Sequence, residues 1–177
     1  MDSPGQRFWA WSLQAYGRPG VEAALIDLQD RLGLDVNILL FACWTAATGR
    51  EPLTVTECMR LIDGTQAWRS NVVEPLRAVR RHLKGAHGIT GAVELREKVA
   101  ALELDAEYAA QMEIARLAGE HGTLRAPAQN QVDAALAGLD ACLAAAAVVP
   151  SDRDRARLAG LARDCLCAAG AGSSAVE

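Results

Sequence analysis

No apolar run in this chain approaches the roughly twenty residues needed to cross a bilayer. The longest, Ile38–Ala47 and Ala141–Val149, stop well short. Strand signals are also scarce, because no segment alternates apolar and polar residues for long. Basic excess is absent: 18 Lys and Arg face 22 Asp and Glu, for a net charge of −4. That balance excludes a dedicated nucleic-acid binder, and nucleic acid is not an expected partner. Histidine is reduced to His82, His87 and His121, none in a recognisable nucleophile motif. Nothing in Met1-Asp2-Ser3-Pro4-Gly5 has the basic and apolar regions of a secretory leader. The expected setting is therefore a reducing cytoplasm, with Cys43, Cys58, Cys142, Cys165 and Cys167 as free thiols. Cys165-x-Cys167 is the one close cysteine pair and has no second ligand pair, so no metal or cofactor is expected.

What the chain does have is helix-forming sequence, much of it alanine. A first helix is expected over Arg7–Tyr16, ended by Gly17-Arg18-Pro19-Gly20. A second covers Val21–Leu32, with Val21, Ala24, Leu25, Leu28 and Leu32 on one face. Asp35 then caps a third helix, Val36–Thr48, which is apolar almost all round and so belongs at the centre. Thr54-Val55-Thr56-Glu57 fits a capping box for a fourth helix ending near Asp63-Gly64. A fifth runs from Gln66 to Lys84, with a kink or break expected near Val73–Glu74 because of Pro75.

Gly85-Ala86-His87-Gly88 reads as a joint, and beyond it Tyr108 is the sole aromatic residue. A long helix is expected over Gly91–Glu120, with Leu95, Val99, Leu102, Ala106, Ala109 and Leu117 on its apolar face. After a turn at His121–Pro127 comes an Ala-rich helix, Gln129–Val148, then a last helix to about Ala168. Residues 170–177 read as a disordered tail. The expected fold class is all-α: a compact multi-helix core with a long C-terminal helical hairpin plus a final short helix. Residues 1–88 form the aromatic-rich core, and 89–169 the hairpin and final helix, packed on it as one domain.

Three groups of residues could carry chemistry. Arg77, Arg80, Arg81 and Lys84 are spaced to share one helix face, opposite Leu76, Val79 and Leu83. Such a stripe can meet phosphates or an acidic partner, can be solvated, or can pair with Glu94, Glu97, Glu103, Asp105, Glu107 and Glu113 of the same chain. Trp9, Tyr16 and Trp68 belong to an aromatic set that could wall a pocket, although core packing is the ordinary use of such residues. Asn37, polar at the start of an apolar helix, reinforces the cap beside Asp35 or points into a pocket; the cap is the expected use. Asp27 and Asp30 could hold magnesium, but Asp27 is also four residues from Arg31 and the ion pair is the expected reading.

Phe8-Trp9-Ala10-Trp11-Ser12-Leu13, Tyr16–Val21, Leu28–Phe41, Trp44, Trp68 and Pro75–Arg81 together resemble the DUF2390 family of small proteobacterial proteins, over about residues 6–84. The resemblance implies a bacterial, non-secreted, helical protein, and it supplies no catalytic residues. With no catalytic constellation present, the leading expectation is a non-catalytic interaction or regulatory protein, an adaptor acting on a protein partner or a second copy of itself. The alternative is a helical protein, binder or enzyme, that takes an anionic or phosphate-bearing small molecule in an aromatic pocket.

Overall fold

A computed structural model describes residues 2–85, 88–119 and 130–166, and every regular element in them is helical. His87, His121, the turn at 121–127, Cys167 and the tail at 170–177 lie outside the described residues. The helices are α1 (Pro4–Tyr16), α2 (Val21–Leu32), α3 (Val36–Ala47), α4 (Val55–Trp68), α5 (Glu74–Lys84), α6 (Ala92–Gly119), α7 (Gln131–Ala145) and α8 (Asp152–Leu166). Their starts are set by local chemistry. Ser3 and Gln6 form a reciprocal capping box with Pro4 in the first turn, and Thr54 and Glu57 form another. The Asp35 carboxylate accepts from the Asn37 and Ile38 amides, which are free donors in the first turn of α3.

The centre is α3, as its apolar circumference requires: every residue from Asn37 to Ala46 is buried. Phe8 of α1 meets Phe41 edge-on at 5.0 Å, and Trp44 lies 5.4 Å from both. These offset and edge contacts are the arrangements that aromatic quadrupoles favour. On the opposite side α7 packs on α3 through small residues. A Cβ at Gly138 would stand 3.3 Å from the Ala42 Cβ, so the glycine permits the close approach.

The long helices arrange themselves differently from the expected hairpin. Among the described residues α6 and α7 make no contact with each other. Helix α6 lies against α1, α4 and α5, whereas α7 lies against α3, α4 and α8. The face that α6 buries is also shifted. Val99 and Ala106 are inside as expected, but Leu95 and Leu102 are 50% and 55% exposed, while Glu103 and Gln111 are buried. The physical reason is the polar surface opposite: Ser12 of α1 and the arginines of α5 attract Glu103 and Gln111 inward.

The region around Pro75 is a second departure. Helix does not stop at Gly64, which sits inside α4 where a Cβ would lie 2.5 Å from a Leu117 methyl of α6. It continues through one wide π turn, Arg69–Val73, into α5. There the Glu74 N–H reaches back five residues to the Arg69 carbonyl. Widening this turn accommodates a proline that lacks an N–H and would crowd the carbonyl four residues before it. The extra residue rotates the helix beyond it by roughly 100°.

Candidate functional site

That rotation decides which way α5 faces. The helix turns Arg77 and Arg80 partly inward and leaves Val79 47% exposed, while Leu76 and Leu83 are half-buried and Arg81 and Lys84 exposed. Arg77, Arg80 and Arg81 line a cleft of about 430 Å³ walled by α1, α2, α3, α5 and α6. Trp9, Ser12, Leu13 and Tyr16 come from α1; Glu22, Ile26 and Gln29 from α2; Val36, Asn37 and Leu40 from α3. Helix α6 supplies Arg96, Ala100, Glu103, Leu104, Glu107 and Gln111, which recur at helical spacing along one face.

A continuous polar network forms the floor. The Ser12 hydroxyl donates to Gln111 Oε1 at 2.9 Å, and Gln111 Nε2 donates to Asn37 Oδ1 at 2.8 Å. Asn37 Nδ2 in turn donates to Glu107. Arg77 ties the next part together: its Nη2 donates to Glu107 at 2.5 Å, its Nε to Glu103 at 3.2 Å, and its Nη1 to Gln29. Arg80 donates to Glu103 through Nε and, at 3.1 Å, through Nη2. Arg81 reaches Asp30 at 3.2 Å in a mostly exposed pair. Ser12, Asn37, Glu103 and Gln111 are all under 9% exposed. Buried polar groups cost stability unless each finds a partner, so such a network is an expensive way to pack two helices.

The network also moves protons between these groups' ordinary ranges. Burial pushes the Glu107 carboxyl up, against the opposing pull of the Asn37 hydrogen bond and the Arg77 charge. Burial acts in the same direction on Glu103, but the Arg80 and Arg77 hydrogen bonds outweigh it and hold that carboxyl below its usual range. Burial, and then the Glu22 charge, raise the Tyr16 phenol.

One member of the lining stands apart. Arg96 Nε is buried and has no hydrogen-bond partner. Among the described residues no carboxylate pairs with this guanidinium, whereas Arg77, Arg80 and Arg81 each have one. Four guanidiniums thus share the cleft with three carboxylates, Glu22, Glu103 and Glu107.

The structure brings together six of the eight residues that the sequence singled out: Trp9, Tyr16, Asn37, Arg77, Arg80 and Arg81. Two fall elsewhere. Lys84 is exposed and is not among the residues lining the cleft. Trp68 stands outside the cleft too, with its indole N–H donating to the Ala106 carbonyl at 3.0 Å. Asn37 corrects the expected use of its side chain: Asp35 alone provides the side-chain cap, and the Asn37 amide points into the network. Arg96, Gln111, Ser12 and Gln29 were missed. The signal for the α6 pair was the stripe Arg96, Glu103, Glu107, Gln111, polar residues at helical spacing beside an apolar face.

The acidic pair considered for magnesium is committed to arginines. Asp27 accepts a bidentate pair from Arg31 at 2.8 and 2.7 Å, with Arg153 and Arg157 each at 3.4 Å. Among the described residues no group of three or more His, Cys, Asp or Glu could hold a metal ion, and no helix is long and apolar enough to cross a membrane.

The family model described as "Protein of unknown function (DUF2390)" matches residues 7–114, thirty residues beyond the stretch that carried the resemblance. Every residue lining the cleft lies inside that match. No curated protein and no solved structure matches the chain.

Proposed function

Since the chain belongs to the DUF2390 family, which comes with no assigned activity, we propose its function from the cleft itself: it binds a small molecule bearing an anionic group, and Arg96 receives that group. The observation that carries this reading is the buried, unpartnered Arg96 Nε in a cleft whose other three arginines are already paired. A cationic donor left unsatisfied costs free energy in the empty protein, and a ligand anion recovers it. The volume, about 430 Å³, falls within the range of small-molecule sites. Trp9, Leu13, Tyr16, Ile26 and Leu104 give it apolar and aromatic walls, and its many charged and amide groups make it more polar than most such sites. The site holds polar groups that bind and orient. No nucleophile stands beside a base in it, so the proposal is one of binding and sensing.

Thermal shift against a panel of phosphate-bearing and carboxylate metabolites tests the proposal. A ligand at 100 times its Kd raises stability by about 2.7 kcal/mol. The expected result is that at least one anion raises the wild-type midpoint and leaves Arg96→Met unmoved. A panel with no stabilising member, or equal shifts in both proteins, overturns it.

A second reading, a self-associating or adaptor protein, draws on Leu95 and Leu102. These lie seven residues apart on the outer side of α6 and are 50% and 55% exposed, an apolar stripe suited to another helix. Light scattering of Leu95→Glu against wild type tests it: a larger mass in wild type that falls in the variant supports self-association, and two monomers remove it.

A further inference from the structure

We infer that the ligand of this cleft is a single-chain amphiphile, with its anionic head at Arg96 and its apolar body against Leu13, Ile26 and Leu104; the inference rests on the binding reading above. Its basis is a second anomaly in the same place. Leu13 is 49% exposed, Ile26 39% and Leu104 51%, although they come from three different helices and all line this one cleft. Single exposed leucines are ordinary, but three converging from α1, α2 and α6 form an apolar wall without an occupant. A simple phosphate or sulfate would satisfy Arg96 and leave that wall in water. A neutral hydrocarbon would cover the wall and leave the guanidinium unsatisfied. One molecule with both parts answers both anomalies.

The spacing along α6 sets the size of that molecule. Arg96 and Leu104 are eight residues apart, about 12 Å along the helix at 1.5 Å per residue. The head and the far end of the body are therefore separated by about this length. The acids in the lining do not oppose the head group at this end. Glu103 is held by Arg77 and Arg80, and Glu107 by Arg77 and Asn37. Glu22 stands close enough to Tyr16 to perturb it, toward the α1–α2 end. Asp30, outside the lining, is paired with Arg81.

Isothermal titration of the full chain with three probes tests the inference: octyl phosphate below its micellar concentration, 1-octanol and inorganic phosphate. Each buried methylene is worth roughly fourfold in affinity. An octyl chain half-buried on the wall therefore makes octyl phosphate more than about 100-fold tighter than inorganic phosphate. The expected results are that Arg96→Met weakens octyl phosphate at least about tenfold, and that Leu104→Ser weakens octyl phosphate while leaving inorganic phosphate unchanged. If inorganic phosphate binds as tightly as octyl phosphate, the amphiphile inference is overturned and the anion-binding reading stands. If 1-octanol binds as tightly as octyl phosphate, the anionic head is overturned. If no anion in either experiment binds, both fall. Binding to anionic phospholipid vesicles in place of monomeric octyl phosphate overturns the soluble single-chain ligand.

Discussion

Replacing Arg96 by methionine is expected to stabilise the protein, which is unusual for a charged residue inside a helix contact. The Nε is buried without a partner, and a buried unsatisfied donor costs about 1–3 kcal/mol. Methionine keeps an unbranched apolar stem of similar reach and carries no donor. It also removes one of four like charges lining the same cleft. The gain is therefore about 1–2 kcal/mol, or roughly 2–8 °C in midpoint for a chain of this length. Urea unfolding reads it as a higher midpoint at unchanged slope. Arg77→Met is the contrasting case, because Glu103 and Glu107 lose the cation they share. Breaking a buried pair from one side costs about 3–5 kcal/mol. If Arg96→Met lowers stability by more than about 1 kcal/mol, Arg96 serves the fold and its donor is not held free for a ligand. A stabilising change at a binding residue is the expected signature of a site kept ready for its occupant.

Ion pairs and thiols away from the cleft give two further expected outcomes. Asp27 is held at about 2 by the Arg31 hydrogen bond, and Asp154 at about 2 by the Ser151 hydroxyl and then by Arg31. Carboxylates depressed in the folded state contribute stability above their unfolded value, 3.8, and lose it as pH falls toward about 2. Arg31→Met is therefore less stable than wild type at pH 7, and the difference closes across that window; a difference that persists unchanged at pH 2 contradicts the assignment. The contact with Cys58 at 3.5 Å, and then burial, push the Cys142 thiol up, and the contact with Cys165, and then burial, push up the Cys43 thiol. A thiol reagent counted by mass spectrometry should leave both unlabelled in the native protein and label both in denaturant; fast native labelling at Cys142 would show that α7 opens readily.

Much of the helical frame was legible in the sequence because its causes are local. Asp35 and Thr54 cap the helices that begin beside them, and the apolar circumference of α3 can only be satisfied at the centre; the Ser3 cap was missed, and α1 begins at Pro4, three residues before the expected Arg7. The site was half legible. Arg77, Arg80 and Arg81 share a face by spacing alone, but which way the face points depends on the π turn before Pro75, which changes the phase of everything after it. Leu76, Val79 and Leu83 therefore looked like the packing side, and Val79 is in fact half exposed. Asn37 looked like a cap auxiliary because Asp35 is two residues away; its partner Gln111 lies 74 positions on, beyond any local signal. Arg96 sits between Glu94 and Glu97, where a solvated helix face is the natural reading. It lines the cleft only because α6 packs against α1 and α5.

One atom, Arg96 Nε, carries the proposed function, and nuclear magnetic resonance can watch it. The Arg96 Nε–Hε signal is identified by its loss in Arg96→Met and tracked while the most stabilising anion of the thermal-shift panel is added to wild type. The expected result is that this signal moves and saturates with the same Kd as the stabilisation, while the exposed guanidiniums of Arg153 and Arg157 on α8 stay still. Saturating stabilisation with an unmoved Arg96 signal would contradict the anion-binding role of Arg96.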